Sequence, residues 1–583
     1  MPEGGTGETV ENLAKLYFGD RPAPEQVAGL ATHLEEQTPH FERQGNAYFA
    51  RSAEDMRQML LRDRRQKQSA AEKTRILDEL TKGLLPDSPT KTESQFIEEL
   101  RSFAVFGDEY ARARIVKSLL KQSFPGSGDL QRHAFALLAA AGHLSHDEPL
   151  EIERACLPVH FPSEAEEQAS AIAEPPSYPD RRDLTDTTTF TIDHPGTLDR
   201  DDALSVERLG EDRIRVGIHI ADAACLIPID SAVDQEAYRR ISTLYTPEIR
   251  VPMVPTVLSD GLCSIVPGQP RPTLSLLATL DDGEVVEWEL FPSLVQSTGA
   301  LTYQEADSSL LSGKGPLLPY LQALHAAANR LRSRRAEAGA YMTERPDLSI
   351  EIKDAPVGST RVSVHVSPRD TPSRRIVMEM MVLCNKLMAR FCVVNSIPAA
   401  YRSQPEPTSG AATERNYDPL ANYRLMRSIP PAKISTSPGR HHGLGVREYL
   451  QATSPIRRFL DLVIQRQIAC TLAGSHPPYS EESIAGIAQR AEVQRKELAS
   501  VEGQRRRYWI LRFFEQRMSE GRTEYDAIVL EPRLRGSSLV ELTNYPFRAQ
   551  AELPPGLSAG DRVALRLREV DLWRRVAHFI ALE

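Results

Sequence analysis

The segment TIDHPGTLDRDDAL, residues 191–204, places Asp193, Asp199, Asp201 and Asp202 within ten positions, directly after the β-branched run TTTFTI. Gathered in a partly dry site, such carboxylates repel one another by roughly several kcal/mol at an effective dielectric constant of about 20. Something cationic has to hold them. Hard oxygen ligands select Mg²⁺, Mn²⁺ or Ca²⁺ over softer metals. An EF-hand is excluded by spacing: counted from Asp193 the twelfth position is Leu204, and counted from Asp199 it is Gly210, where a bidentate glutamate is required. Magnesium is the better match. His194, Pro195 and Gly196 turn the chain after the strand, so the 199–202 cluster can fold back beside Asp193. The competing reading is an exposed acidic turn whose carboxylates cap local amides.

A second chemical signal lies in ATSPIRRF, residues 452–459. Thr453 or Ser454 can cap a helix with Pro455 in its first turn, which places Arg457 and Arg458 at the positive helix end, where cations are destabilising. Two guanidiniums there would bind a phosphate backbone and oppose charge developing on it. The alternative is a pair from Arg457 to Asp461, worth about a few tenths of a kcal/mol in its less favoured orientation.

These residues need a large scaffold. A chain of 583 residues with 41% hydrophobic content divides into several domains. The first residues lack the basic start and apolar stretch of a secretory signal, and no run approaches the roughly 18–20 apolar residues of a membrane span, so a cytoplasmic protein without a membrane is expected. Six cysteines, Cys156, Cys225, Cys263, Cys384, Cys392 and Cys470, form no CxxC pair, which argues against a zinc ribbon or a disulfide framework. A net charge of −10 argues against the whole surface binding polyanions, so any nucleic-acid site must be locally basic. Of the 70 basic residues only 12 are lysines, a bias that favours guanidinium chemistry and that GC-rich coding would also produce.

VENLAKLYF and QVAGLATHLEE read as two short helices, and FERQGNAYFARS as a hairpin turning at Gly45 and Asn46, together a winged helix-turn-helix. Such modules bind nucleic acid or another protein. Residues 55–150 are helical and charged, and the cluster Arg62, Arg64, Arg65, Lys67 reads as a solvated face. Residues 162–184, rich in Pro, Glu and Ser, read as an extended linker. TTTFTI is a short strand, and ALSVERLGEDRIRVGIHIAD reads as two strands joined by a Gly-Glu-Asp turn. Long helices are expected at 373–394, 454–473 and 482–518, and five closely spaced strands after Gly521 fit an OB-type barrel. Walker, HExxH, GxSxG and GxGxxG motifs are missing.

The aspartate segment resembles the defining motif of the ribonuclease II (RNB) family of 3′-to-5′ exoribonucleases. Further matches follow in order: HIADAA (219–224), LYTPEIRVPMVPTVLSDGLCSIVP (244–267), RRIVMEMMVLCNKLMARF (374–391), AAYRSQPEP (399–407), HHGLGVREYLQATSPIRRFLDLVIQR (441–466) and VEGQRRRYWILRFF (501–514). The resemblance implies an α+β multidomain chain of bacterial type. Together with the N-terminal reading above, the expected parts are a winged helix-turn-helix at 1–54, a helical region and linker at 55–175, an RNB catalytic α/β domain at 176–518, and an OB-fold RNA-binding domain at 519–583. The resemblance further implies Mg²⁺-dependent hydrolysis of single-stranded RNA to nucleoside 5′-monophosphates, with two ions and Mn²⁺ as a substitute; a monomer is expected. Asp193, Asp199, Asp201 and Asp202 correspond to the family's four catalytic aspartates, with Asp202 nearest the chemistry. Arg457 takes the phosphate-binding role with Arg458 as neighbour, and Tyr245 stacks on the 3′-terminal base, worth about 1–3 kcal/mol without base choice. Glu502 aligns with a glutamate near the terminal nucleotide, against the alternative of a surface pair with Arg506. Around AYMTERPD, Tyr341 and Met342 stand where relatives often carry a second stacking aromatic. His219, Asp222, Glu379 and Asn385 are assigned to the structural shell. The helices and hairpin at the N-terminus replace the cold-shock barrels of the best-known bacterial relatives. Two other readings are a pseudo-enzyme that only binds RNA or partners, and a DNA-binding regulator acting through the winged helix.

Overall fold

The computed structural model describes every residue except 1–6, 36–39, 85–89, 127, 173–179, 211–212, 342–344, 355–359, 408–416, 534–535 and 583. Met342 and most of the Gly-Glu-Asp turn therefore lie outside the described residues. The chain divides into two compact units, Met1–Arg154 and Ala155–Glu583.

In the first unit, helices α1 (Val10–Phe18) and α2 (Pro24–Glu35) precede a hairpin of β1 (Phe41–Gln44) and β2 (Ala47–Ala50). Thr9 caps α1, and Gly45 takes the positive φ of +65° that the tight turn demands. Leu13, Leu34 and Tyr48 form the small core of this winged element. Helices α3 (Ala53–Thr81), α4 (Lys91–Phe106), α5 (Ala113–Ser123), α6 (Leu130–Ala140) and α7 (Leu150–Arg154) follow. Their core gathers Ile76, Leu77, Leu80, Phe96, Leu100 and Phe103 among others. Arg62, Arg64, Arg65 and Lys67 are all exposed on the first half of α3, as a solvated face requires.

The second unit corrects two expectations. Residues 163–171 are not linker but helix α8 (Ser163–Ala171), with Ala165 and Ala169 buried in the central core. Two small residues four apart carry too little hydrophobic signal to show a helix against a Pro/Glu/Ser background. The strand around TTTFTI is also much longer, β3 (Arg182–Asp193). It opens a closed five-stranded barrel with β4 (Asp202–Arg208) and β5 (Arg213–Ala221). Helix α9 (Ala232–Arg240) and the small pair β6 (Leu244–Tyr245) and β7 (Arg250–Val251) interrupt the barrel before β8 (Pro270–Asp281) and β9 (Glu284–Thr302) complete it. The order is β3-β4-β5-β8-β9, closed by the parallel pairing of β3 with β9. A parallel closure between strands about 100 residues apart has no local sequence mark.

Helices α10 (Tyr303–Ser312) and α11 (Leu318–Glu337), the hairpin β10 (Asp347–Asp354) and β11 (Thr360–Ser367), and α12 (Pro372–Val394) follow. Then come β12 (Tyr401–Ser403), α13 (Pro419–Ser428), β13 (Lys433–Ser435), α14 (Phe459–Leu472) and the 39-residue α15 (Glu481–Ser519). The apolar faces of α11, α12 and α14 join the barrel in one large core. A second closed barrel, β14 (Glu524–Glu531), β15 (Ser538–Leu542), β16 (Arg548–Glu552), β17 (Arg562–Asp571) and β18 (Val576–Ala581), ends the chain. Its core is continuous with Tyr508, Trp509, Phe513 and Phe514 of α15 and with Leu348 and Val362 of the β10–β11 hairpin. Among the described residues no helix is long and apolar enough to cross a membrane.

Candidate active site

The central barrel ends its first strand at Asp193, and the aspartate loop begins there. The amide of Thr197 donates to the His194 carbonyl at 3.1 Å, and Gly196 takes a φ of +79°. Ser264 then pins the loop: its hydroxyl donates to the Leu198 carbonyl at 2.6 Å and accepts from the Arg200 amide at 3.1 Å. The Ala221 amide donates to the Asp201 carbonyl at 2.8 Å, and the chain re-enters the sheet as β4 at Asp202, opposite Ile220. All four aspartates reach one cavity of about 950 Å³, which Tyr245, Arg250, Tyr303, Asn385, Arg457 and Arg458 also line. The exposed acidic turn is thereby ruled out, since Asp199 and Asp201 are only 6% and 4% exposed.

The four carboxylates have different partners. Asp201 accepts from Arg457 Nε at 2.8 Å and from the Ile456 amide at 3.0 Å. Burial pushes its carboxyl up to about 6, with Arg457 opposing the rise. Asp199 accepts from the Tyr245 hydroxyl and lies 3.1 Å from Arg250 Nη1. Asp193 carries a buried Oδ2 without a hydrogen-bond partner, 3.9 Å from Arg200 Nε, and burial raises its carboxyl. Asp202 has the greatest shift: burial, then Asp193 and Asp201 as like charges, push it up to about 8.

Among the described residues, no three Asp, Glu, His or Cys side chains are drawn together at metal-binding spacing. Asp199 and Asp201 are hydrogen-bonded to protein donors, whereas Asp193 and Asp202 line the cavity, and the charge of Asp193 helps hold the Asp202 carboxyl up. An orphaned carboxylate oxygen beside a carboxyl driven that far up is an environment a hard divalent cation would relieve, so Asp193 and Asp202 could hold one, with Asp199 and Asp201 lining the same cavity.

Arg457 does not occupy the first turn of a helix, as the sequence led us to expect. The Ser454 carbonyl accepts from the amides of Arg457 and Arg458, closing a turn, but Arg458 is extended (φ −137°, ψ 119°) and α14 starts only at Phe459. Long-range pairing overrides the local cap. The Arg457 carbonyl accepts from the Thr243 amide at 3.0 Å and the Ser242 hydroxyl at 2.9 Å, and the Phe459 amide donates to Ile241. The turn is therefore tied to the segment that leads into Tyr245. Arg457 Nη2 donates to Ser454 Oγ at 2.9 Å, and with 40% of its side chain exposed the guanidinium keeps an edge toward the cavity. Burial works against its charge, but the Asp201 carboxylate raises its pKa on balance. Arg458 is committed differently, to Asp461 at 2.6 Å, and Asp461 also accepts from the Ser454 amide.

Tyr245 is no core tyrosine: it is 40% exposed on the cavity wall. Burial and the Asp199 carboxylate raise its hydroxyl, so it stays a donor at neutral pH. Glu502 Oε1 accepts from the Tyr245 amide at 3.0 Å, and Arg506 pairs with Asp347 at 3.1 Å instead of with Glu502. Three residues further along the loop, Glu248 accepts from Arg505 and from Trp509 Nε1 at 2.7 Å, fastening this segment to α15. Tyr341 does not line the cavity; its hydroxyl donates to Gln404 Oε1 at 2.9 Å beside Gly443.

The shell residues fall into place. His219 sits fully buried inside the barrel between Ser205 and Ser275 at 2.9 and 2.6 Å. Asp222 pairs with Arg181, and Glu379 with Arg335 at 2.6 Å. Asn385 accepts from the Ala452 amide at 2.9 Å and donates to Tyr449 and Thr453 at 3.2 and 3.3 Å, steadying the approach to Ser454. Sequence reasoning missed Arg250 and Tyr303. Arg250 was an ordinary position in a quoted segment, and Tyr303 follows the helix cap Thr302 with nothing local to mark it.

Comparison with known proteins bears on this geometry. The family described as RNB domain matches residues 181–474, and the RNase II-type exonuclease C-terminal S1 domain matches residues 523–581. An uncharacterized ribonuclease of Synechocystis sp. is 31% identical over 99% of this chain and 86% of its own. Ribonuclease II, chloroplastic/mitochondrial, of Arabidopsis thaliana is 31% identical over 75% of this chain, which spans 55% of that protein. A solved structure of Mycoplasma genitalium RNase R in complex with ribose methylated single-stranded RNA shares the fold, with a TM-score of 0.65 and 18% identity, over 74% of this chain and 77% of that one.

Proposed function

We propose that this chain, which belongs to the RNB family of exoribonucleases, degrades single-stranded RNA from its 3′ end to nucleoside 5′-monophosphates. The observation that carries the reading is the division of labour among the four aspartates: two are tied to Arg457, Tyr245 and Arg250, while Asp193 and Asp202 line the cavity, Asp193 with one oxygen that has no hydrogen bond. Asp193 and Asp202 would hold the divalent cation, Mg²⁺ by the hardness of their oxygens with Mn²⁺ as a substitute. When bound, such ions lower the pKa of a water and stabilise the oxygen that leaves.

The chain's own residues do the rest. Arg457, held by Asp201 and Ser454, offers its open edge to the scissile phosphate and opposes the charge that grows there. Because Asp201 fixes the guanidinium beforehand, little reorganisation is needed during reaction. Tyr245 presents its exposed face to the 3′-terminal base, while its amide and hydroxyl are tied back to Glu502 and Asp199. Stacking of this kind serves every base, as an enzyme without sequence choice needs. The C-terminal barrel, packed on α15, supports recruitment of the single strand.

The test is degradation of 5′-labelled single-stranded RNA with Mg²⁺ or with EDTA. The reading expects a ladder shortening from the 3′ end, 5′-mononucleotides as product and arrest by EDTA. Internal fragments, or intact RNA in Mg²⁺, would overturn it.

A further inference from the structure

Every residue from 192 to 202 lines the cavity of the aspartates except Arg200. Its backbone is clamped: the amide donates to Ser264 Oγ at 3.1 Å and the carbonyl accepts from the Ile265 amide at 3.1 Å. From that fixed base the side chain lies off the cavity and reaches the other end of the loop, where its Nε stands 3.9 Å from Asp193 Oδ2. Arg200 thus meets Asp193 from the side that does not face the cavity.

The contact is one of charge only. Both atoms are buried, and among the described residues neither has a hydrogen-bond partner. The hydroxyl of Thr191, on the same face of β3 as Asp193, is a third buried group without one. The other arginines of the site behave differently. Arg457 closes on Asp201 at 2.8 Å and Arg458 on Asp461 at 2.6 Å, the spacing of charge-assisted hydrogen bonds. Arg200 attracts its carboxylate without locking it. Burial raises the Asp193 carboxyl; Thr191 and Arg200 oppose that rise, and Arg457 does so more weakly. Asp199 and Asp202 are the like charges coupled to Asp193.

We propose that Arg200 is the counter-charge of Asp193 in the ion-free enzyme: it steadies the carboxylate while no divalent cation is bound, and by its own charge it weakens the hold on the cation that arrives. It is a positioning residue acting through Asp193, a role that rests on the reading above in which Asp193 and Asp202 hold the cation. Two positive charges that share one carboxylate repel each other. The coupling is reciprocal, so whatever Arg200 contributes to the ion-free state is subtracted from the affinity for the ion.

The test uses the full chain stripped of metal, with Arg200→Met as the neutral variant of similar length, Arg200→Lys as the charge-preserving one, and Asp193→Asn/Arg200→Met as a double variant. Mn²⁺ alone is titrated calorimetrically, and melting is followed in EDTA and in saturating Mn²⁺. Arg200→Met is expected to bind Mn²⁺ about 10-fold more tightly than wild type, within the ordinary range of such couplings. It should also melt lower in EDTA and gain more from Mn²⁺ than wild type does, with Arg200→Lys near wild type in both measurements. Removing a residue that merely packed the loop would loosen the ion's site, so unchanged or weaker Mn²⁺ binding by folded Arg200→Met would overturn the proposal. Where Arg200→Met is too unstable to titrate, the double variant decides. If Arg200 acts through Asp193, removing the stranded charge restores melting in EDTA; a double variant that melts no higher than Arg200→Met would overturn the proposal. A wild type that binds no Mn²⁺, with or without RNA, is a different failure, that of the reading in which Asp193 and Asp202 hold the cation.

Discussion

Asp202 has the most strained electrostatic position of the four aspartates, and its replacement separates function from stability. Asp202→Asn keeps the shape but removes the charge, so activity on single-stranded RNA is expected to fall by at least about 10³-fold, comparable to or beyond the loss of one preorganised catalytic donor. The same variant relieves burial of a carboxyl beside Asp193 and Asp201, so in EDTA it should melt no lower than wild type. A variant that loses activity only by unfolding would show the reverse. On the proposed role of Arg457 at the scissile phosphate, Arg457→Ala is expected to lower the single-turnover rate by about 10²- to 10³-fold, with Arg457→Lys only partly restored because a lysine cannot reproduce the fork to Asp201 and Ser454. At this scale the sequence was unusually informative. Like charges at 193, 199, 201 and 202 cannot sit together in a buried place without a reason, so their spacing was itself a statement about chemistry. Arg250 and Tyr303 were not legible, because an arginine in a two-residue strand and a tyrosine after a cap look the same with or without a site. Tyr341 shows the opposite limit: an aromatic in a matching segment, yet turned to Gln404.

The elements that carry these residues were read unevenly, for physical reasons. Helix α12 and helix α15 announced themselves through length, since a 3.6-residue period repeated over many turns is hard to miss. Helix α14 was placed five residues early, because a serine-proline cap is a local signal and the pairing of Arg458 with Ser242 is not. The central barrel was seen only as strands, since its closure joins β3 to β9. Its interior makes a prediction of its own. Burial holds His219 at about 4, below its ordinary value near 6.5, while the unfolded chain takes up its proton normally. The folded state therefore binds fewer protons in that window: the stability contribution is complete above about pH 6.5 and is lost as pH falls toward 4, by at most about 3 kcal/mol. Urea unfolding at stepped pH should show this loss, and His219→Gln should flatten that part of the profile. An unchanged profile in the variant would place the acid sensitivity elsewhere.

For the whole molecule, the C-terminal barrel is an integral part of the catalytic unit and not an appendage. Its core is shared with Tyr508, Trp509, Phe513 and Phe514 of α15, so removing residues 520–583 would uncover four large aromatic side chains at once. Such a truncation is expected to aggregate or to melt far below the full chain, whereas a tethered module would leave a soluble, weaker nuclease; sedimentation and melting distinguish the two. The composition had indicated several domains and a barrel at the end, but the sharing of a core across α15 depends on contacts that no window of sequence contains. The proposed function stands on Asp193 and Asp202 lining one cavity as the pair proposed to hold a divalent cation. Calorimetric titration of the metal-free full chain with Mn²⁺ tests this directly: saturable binding is expected in the wild type and its loss in Asp193→Asn/Asp202→Asn, whereas undiminished binding in that folded double variant, or none in the wild type with RNA present, would contradict it.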